Sequence, residues 1–233
     1  MASEPRLEEG PLGPVIHPPA PSGLVVLHLS GREEPALETA ALWSAHTGAT
    51  VVCARHRLTY PQALQDAQAA YEYCRTLGTV IVAGERIGAS ITSSLLVRLR
   101  DLGAPMPRGA ILSSAILDLT LDAPSIAFNA GADPAFDAPA LRATAASYAS
   151  TTSPSDPLLS PLFANLHGLP PIQLLVSGTD PFIDDSLAFA TRAARSAVPI
   201  ELRVLPDSAH LRTRTPQATT TFLTALTPTP TSP

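Results

Sequence analysis

Six short apolar runs alternate with helical patterns along most of this 233-residue chain, and that rhythm constrains the fold more than any other feature. The runs are Leu24–Leu29, Thr50–Ala54, Thr79–Ala83, Ala110–Ser113, Ile172–Val176 and Ile200–Val204. Each is brief, continuous and rich in Val, Ile or Leu, as strands buried on both faces are. Helical patterns cover Pro35–Thr47, Pro61–Leu77, Ile87–Leu102, Asp184–Ser196 and Pro216–Leu226, and Pro61 suits a first helical turn. The alternation predicts an α/β fold, with a mostly parallel sheet of about six strands and helices on both faces. Such sheets bind ligands beyond the carboxyl ends of their strands.

The flanks read differently. Residues 1–22 are rich in Pro, Gly and acidic side chains and are expected to be an extended arm before a domain at 23–226. Residues 119–160 break the rhythm with an Ala- and Ser-rich stretch, expected to be a small helical cap, and 227–233 reads as a frayed tail.

Composition removes several function classes. With 45% hydrophobic and 15% charged residues the chain is not disordered as a whole, and its net charge of −5 disfavours nucleic acid or an anionic membrane as partner. No apolar run is long enough to span a bilayer, and the first residues lack a secretory leader's basic and apolar regions, so a cytoplasmic protein is expected. All 15 basic residues are arginine, which excludes Schiff-base chemistry on a lysine. Cys53 and Cys74 make neither a disulfide framework nor a metal site; no cofactor or metal is called for.

The densest functional signal is Gly84-Glu85-Arg86-Ile87-Gly88, between an apolar strand and the helical pattern of Ile91, Leu95, Leu96 and Leu99. Strand, glycine-flanked turn and helix is the layout of a nucleophile elbow, G-x-S-x-G, with arginine where serine is required. His28-Leu29-Ser30-Gly31 follows the first strand, where an oxyanion turn of the HGGG type belongs. Asp180 follows the strand at 172–176 and His210 follows the last strand, so the order is elbow, acid, histidine.

With these residues the chain resembles the hormone-sensitive-lipase-like esterases of the α/β-hydrolase fold, from about Val25 to Phe222. His56-Arg57-Leu58 followed by Pro61–Asp66 is similar to the family's Y-R-L-A-P-E…A-L-D-D segment, and Ile111-Leu112-Ser113-Ser114…Leu117-Asp118-Leu119 to its L-S-P-W-L-D-L. Ser160–Phe163 and Gly168–Pro171 match the stretch before the acid strand. The resemblance implies Asp180 as triad acid, His210 as base, and an oxyanion hole from the Ile87 N–H and the turn Leu29-Ser30-Gly31. It also implies that the family's first two strands and N-terminal cap helices are absent here, or reduced to the arm.

Arg86 departs from that pattern, because a protonated guanidinium is no nucleophile. Beside a helix N-terminus it suits a carboxylate, enolate or phosphate. The reading that follows is a non-hydrolytic enzyme, performing elimination, isomerisation or cyclisation on a small acidic or activated-carbonyl compound in specialised metabolism. Arg86 would bind the anion and the His210–Asp180 dyad would move a proton. A second reading has Arg86 pair with Asp180 or Glu85 and plug an inert pseudo-hydrolase that binds a ligand or protein partner. A third is an esterase with its nucleophile at Ser30, Ser90, Ser93 or Ser94. His28 reads as structural, Asp184 and Asp185 as residues of a helix N-terminus, and Glu33 and Glu34 as a solvated loop. The fold is compatible with a homodimer through an edge strand or helix.

Overall fold

The computed structural model describes residues 4–31, 37–132 and 136–226. Its strands are β1 (Arg6–Gly10), β2 (Gly13–His17), β3 (Leu24–Leu29), β4 (Thr50–Ala54), β5 (Thr79–Glu85), β6 (Gly109–Ser113), β7 (Ile172–Ser177) and β8 (Ile200–Leu205). The α-helices among the described residues are α1 (Leu37–Thr47), α2 (Gln62–Leu77), α3 (Ile87–Asp101), α4 (Pro124–Phe128), α5 (Ala138–Ala149), α6 (Ile183–Arg195) and α7 (Ser208–Leu226). One sheet runs in the order β1-β2-β4-β3-β5-β6-β7-β8. All pairings from β4 to β8 are parallel; β1 and β2 are antiparallel.

All six apolar runs are strands, and their period of two divides the core. Val25, Leu27, Val82, Leu112 and Leu174 face α2, α3 and α6, whose Leu64, Tyr71, Leu95 and Phe189 bury against them. Val26, Ile81, Ala83, Ile111 and Leu175 face the other way, toward Trp43 of α1 and Leu211, Phe222 and Leu223 of α7. A continuous apolar run is what two covered faces demand.

The arm is a correction. Residues 6–17 form a β-hairpin whose second strand pairs Val15 and Ile16 with Val52 and Val51 of β4. Val15 and Ile16 are buried, and Arg55 pairs with Glu9 to tie the hairpin to the sheet. The two strands expected to be missing are therefore present. The expected tail at 227–233, and Glu33 and Glu34, lie outside the described residues.

Residues 119–160 hold α4, a 3-10 turn at Ala130–Ala132 and α5. The last helix starts earlier than Pro216 suggests. Asp207 accepts the His210 N–H on its carboxylate at 2.9 Å and the Leu211 N–H on its carbonyl at 3.0 Å, an N-cap that begins α7 at Ser208. Pro216 then lies inside the helix and supplies no N–H to the Arg212 carbonyl.

Asp185 of α6 joins that layer to the loop after β6. One carboxylate oxygen accepts the Leu117 and Asp118 N–H groups at 2.8 and 3.0 Å. Burial pushes its carboxyl up to about 6, against the pull of those two donors. Asp184, also in the first turn, accepts the Ser125 N–H of α4 at 2.9 Å.

Two expectations follow. In the unfolded chain Asp185 ionises near pH 4, and in the fold near 6. The folded state thus holds the proton more tightly, so this group's contribution to stability is largest below pH 4 and declines as pH rises to 6. Asp185→Asn keeps an acceptor for both N–H groups and should flatten that decline in urea melts. Asp185→Ala strands both donors and should lose about 1–3 kcal/mol. Gly88→Ala should lose about 1–3 kcal/mol or more, because a Cβ there would lie 2.1 Å from the Leu29 carbonyl oxygen. Unaltered urea midpoints in these variants would contradict the packing described.

Candidate active site

The turn from β5 into α3 holds Arg86 at φ 51° and ψ −119°, a strained conformation for a residue with a side chain. Neighbouring backbone fixes it. The Arg86 N–H donates to the Ser113 carbonyl at 3.1 Å, and its carbonyl accepts the Ile116 N–H at 3.3 Å. Its carbonyl also receives the Ala89 N–H at 3.1 Å as α3 begins. Gly84 and Gly88 make the turn possible, since a Cβ on Gly84 would stand 2.3 Å from the Gly88 carbonyl oxygen.

The sequence-predicted site residues fall on two sides of this turn. The first cleft, about 450 Å³, is lined by Glu85, Arg86 and Asp180 together with His28, Trp43, Ser113, Ser114, Ser177, Ser208 and Arg212. The second, about 740 Å³, is lined by Gly31 and Ile87 with His56, Arg57, Tyr148 and Thr144. Leu29 and Ser30 are buried and line neither cleft, and the Ser30 carbonyl accepts from the His56 Nε2 at 2.8 Å. Gly31 packs its Cα against the turn itself: a Cβ there would stand 3.3 Å from the Ile87 nitrogen and 3.4 Å from the Gly88 nitrogen.

His210 is not brought to Asp180. It sits in the first turn of α7, half exposed, with its Nδ1 2.9 Å from Asp207. The His210 N–H and then its ring hold the Asp207 carboxyl below the usual range. Asp180 is buried and accepts the Phe182 N–H at 2.8 Å. No hydrogen bond joins Asp180 and His210 among the described residues. The expected dyad is corrected because the N-cap of α7 claims the histidine. The Arg86 guanidinium carbon lies 5.5 Å from the centre of the buried Phe182 ring.

The helix serines are also corrected. Ser90 donates to the Ile116 carbonyl, Ser93 to the Ala89 carbonyl at 2.9 Å, and Ser94 is enclosed in the core. None of the three lines either cleft. Sequence reasoning missed the cleft-facing serines at the ends of β6 and β7, and it missed His28 as a cleft residue. The strand period carried that signal: Val26 and His28 share one face of β3, Ala83 and Glu85 one face of β5, and both faces look toward α1 and α7.

His28 is almost fully buried, meets the Trp43 ring edge-on with centroids 5.3 Å apart, and leaves Nδ1 without a hydrogen-bond partner. Burial lowers its affinity for a second proton; Glu85 pulls it up, and His56 pushes it down. Among the described residues no group of three or more His, Cys, Asp or Glu could hold a metal ion, and no helix is long and apolar enough to cross a membrane.

Comparison with known proteins agrees with this architecture. The chain matches the family model described as alpha/beta hydrolase fold over residues 33–213. It is 31% identical over 172 residues to an acetyl-hydrolase of Streptomyces hygroscopicus, covering 70% of this chain and 58% of the relative. It is 33% identical over 150 residues to an esterase of Acinetobacter venetianus, covering 62% of this chain and 50% of the relative. The chain thus spans little more than half the length of these relatives. Among solved structures, a hormone-sensitive lipase from a metagenome library superposes with a TM-score of 0.88 at 24% identity, covering 97% of this chain and 85% of that one. A bacterial esterase of the hormone-sensitive lipase family gives 0.85 at 26% identity, covering 96% and 84%. These names overturn the expectation of elimination, isomerisation or cyclisation in specialised metabolism: the relatives are named for hydrolysis. The chain belongs to the alpha/beta hydrolase fold family.

Proposed function

We propose that this protein is an esterase acting on small carboxylic esters in the first cleft, and that its attacking group is not the side chain at the elbow. The observation that carries this reading is Arg86 at the strained apex of the β5–α3 turn, lining a cleft with Asp180, Ser113 and Ser114. In this reading Arg86 replaces the serine of the family's elbow, and its guanidinium sits where an ester carbonyl becomes an oxyanion. A fixed positive charge at that point stabilises the transition state more than the ground state. The same charge favours substrates that carry an acidic group. Water held in the cleft is the attacking group, so no acyl-enzyme forms. The relatives' names, esterase and acetyl-hydrolase, support ester cleavage as the reaction class.

A second reading, an inert hydrolase-like protein that binds an ester or its carboxylate product, is favoured by His210 being held on Asp207. Turnover separates the two. The protein should release nitrophenol from p-nitrophenyl acetate or butyrate above the buffer rate. Arg86→Ala should lower kcat/KM about 100-fold, the usual effect of deleting one oxyanion donor. An equal rate in Arg86→Ala would remove Arg86 from the chemistry. No release by the wild type, with acetate or butyrate still raising its melting temperature, would leave the binding reading.

A further inference from the structure

The layer between the sheet and helices α1 and α7 is unusually polar for a buried one. Of the enclosed side-chain atoms without a hydrogen-bond partner, those of His28, Trp43, Ser44, Gln173 and Thr219 all belong to residues on this side. Native interiors satisfy almost all buried polar atoms, so this layer stands apart from the opposite side of the sheet. The first cleft opens into this layer, and both His28 and Trp43 line it.

Sheet register explains how a histidine comes to stand there. His28 pairs with Ala83 across β3 and β5, and Glu85 pairs with Ser113 across β5 and β6. Ala83 and Ile111, two residues earlier on the same strands, face α1 and α7. His28, level with Ala83 and Ile111, and the Glu85–Ser113 pair two residues further along β5 and β6 therefore share the cleft side at the carboxyl ends of the three central strands. Arg86 follows Glu85 directly. His210 contributes nothing to this wall.

We propose that His28, held on the β3 strand beside Glu85, is the general base of this cleft and takes the place that the displaced His210 leaves open. The proposal rests on the ester-hydrolysis reading above. As a water oxygen bonds to the acyl carbon, one of its protons passes to the neutral His28 ring. The carbonyl electron pair moves onto oxygen against the Arg86 guanidinium. The carbonyl re-forms, the bond to the alkoxy oxygen breaks, and His28 returns its proton to the leaving alcohol. Acid and alcohol depart, and the histidine is again neutral. With Nδ1 enclosed, the proposal assigns the proton transfer to Nε2. Burial keeps the ring unprotonated at neutral pH, as a base requires.

Burial, Glu85 of β5 and His56 beyond β4 shift its titration; Glu38 of α1, Arg86, Asp180 and Arg212 of α7 are the other charged groups that line the cleft. The test follows p-nitrophenyl acetate hydrolysis by wild type, His28→Asn, His28→Gln and His210→Ala, with melting curves for each. His28→Asn or His28→Gln should lose about 100-fold or more in kcat, and His210→Ala should keep most of its activity. The wild-type kcat/KM should rise with pH to a half-maximum below the usual histidine range, and Glu85→Gln should move that half-maximum lower still. Full activity in a folded His28 variant, or loss of activity in His210→Ala instead, overturns the proposal while leaving ester hydrolysis intact. Should both His28 variants fail to fold, a wild-type half-maximum at or above pH ~6.5 overturns it. A wild type without turnover overturns the proposal and the ester reading together.

Discussion

Everything at the candidate site depends on how tightly the β5–α3 turn is packed. Gly84 and Gly88 remove two Cβ atoms that would collide with backbone, and the start of α3 then settles against the end of β3. The Ser113 carbonyl and the Ile116 N–H hold residue 86 from opposite ends of its own backbone. A strained φ persists only when surroundings over-determine it. Here the surroundings are main chain, indifferent to the side chain, which is why an arginine occupies the position without disturbing the fold.

That turn also partitions the molecule's concave surface. Glu85, Arg86 and Asp180 go with His28 to the cleft on the α1 and α7 side, while Gly31 and Ile87 go with His56 and Tyr148 to the other. A site that reads as one constellation in sequence order is two half-sites in space. The histidine shows the same principle of local competition. Asp207 is three residues from His210 and meets both its N–H and its ring, whereas Asp180 is thirty residues away and already accepts the Phe182 N–H. A helix N-cap is formed within one turn and needs no long loop to be ordered.

The parallel sheet was legible because each central strand is covered on both sides and shows it as an unbroken apolar run. The β1–β2 hairpin was not. Its outer strand, Arg6–Gly10, is polar and exposed, so it carries no burial signal, and the prolines that follow β2 disguise the pair as an arm. That Arg86, Asp180 and the turn Leu29-Ser30-Gly31 follow strand ends was legible from spacing, because in a parallel sheet strand ends gather at one edge; that they divide between two clefts was not. The pairing of His210 was not, since it depended on where α7 begins. That His28 lines the cleft was not legible: a histidine inside an apolar strand reads as structural until the neighbouring strands show which face it shares. The reaction class was misjudged for a chemical reason. An arginine argues against attack by residue 86, but it says nothing against ester hydrolysis by another group, and the relatives are named esterase or acetyl-hydrolase.

The most direct measurement is intact-mass spectrometry of the protein quenched during turnover of p-nitrophenyl acetate, beside the Arg86→Ser variant. The account expects nitrophenol release by the wild type with no change in protein mass, because no acyl group is ever bonded to the chain. A wild-type protein carrying one acetyl group in proportion to turnover would contradict it and place a covalent nucleophile in the cleft.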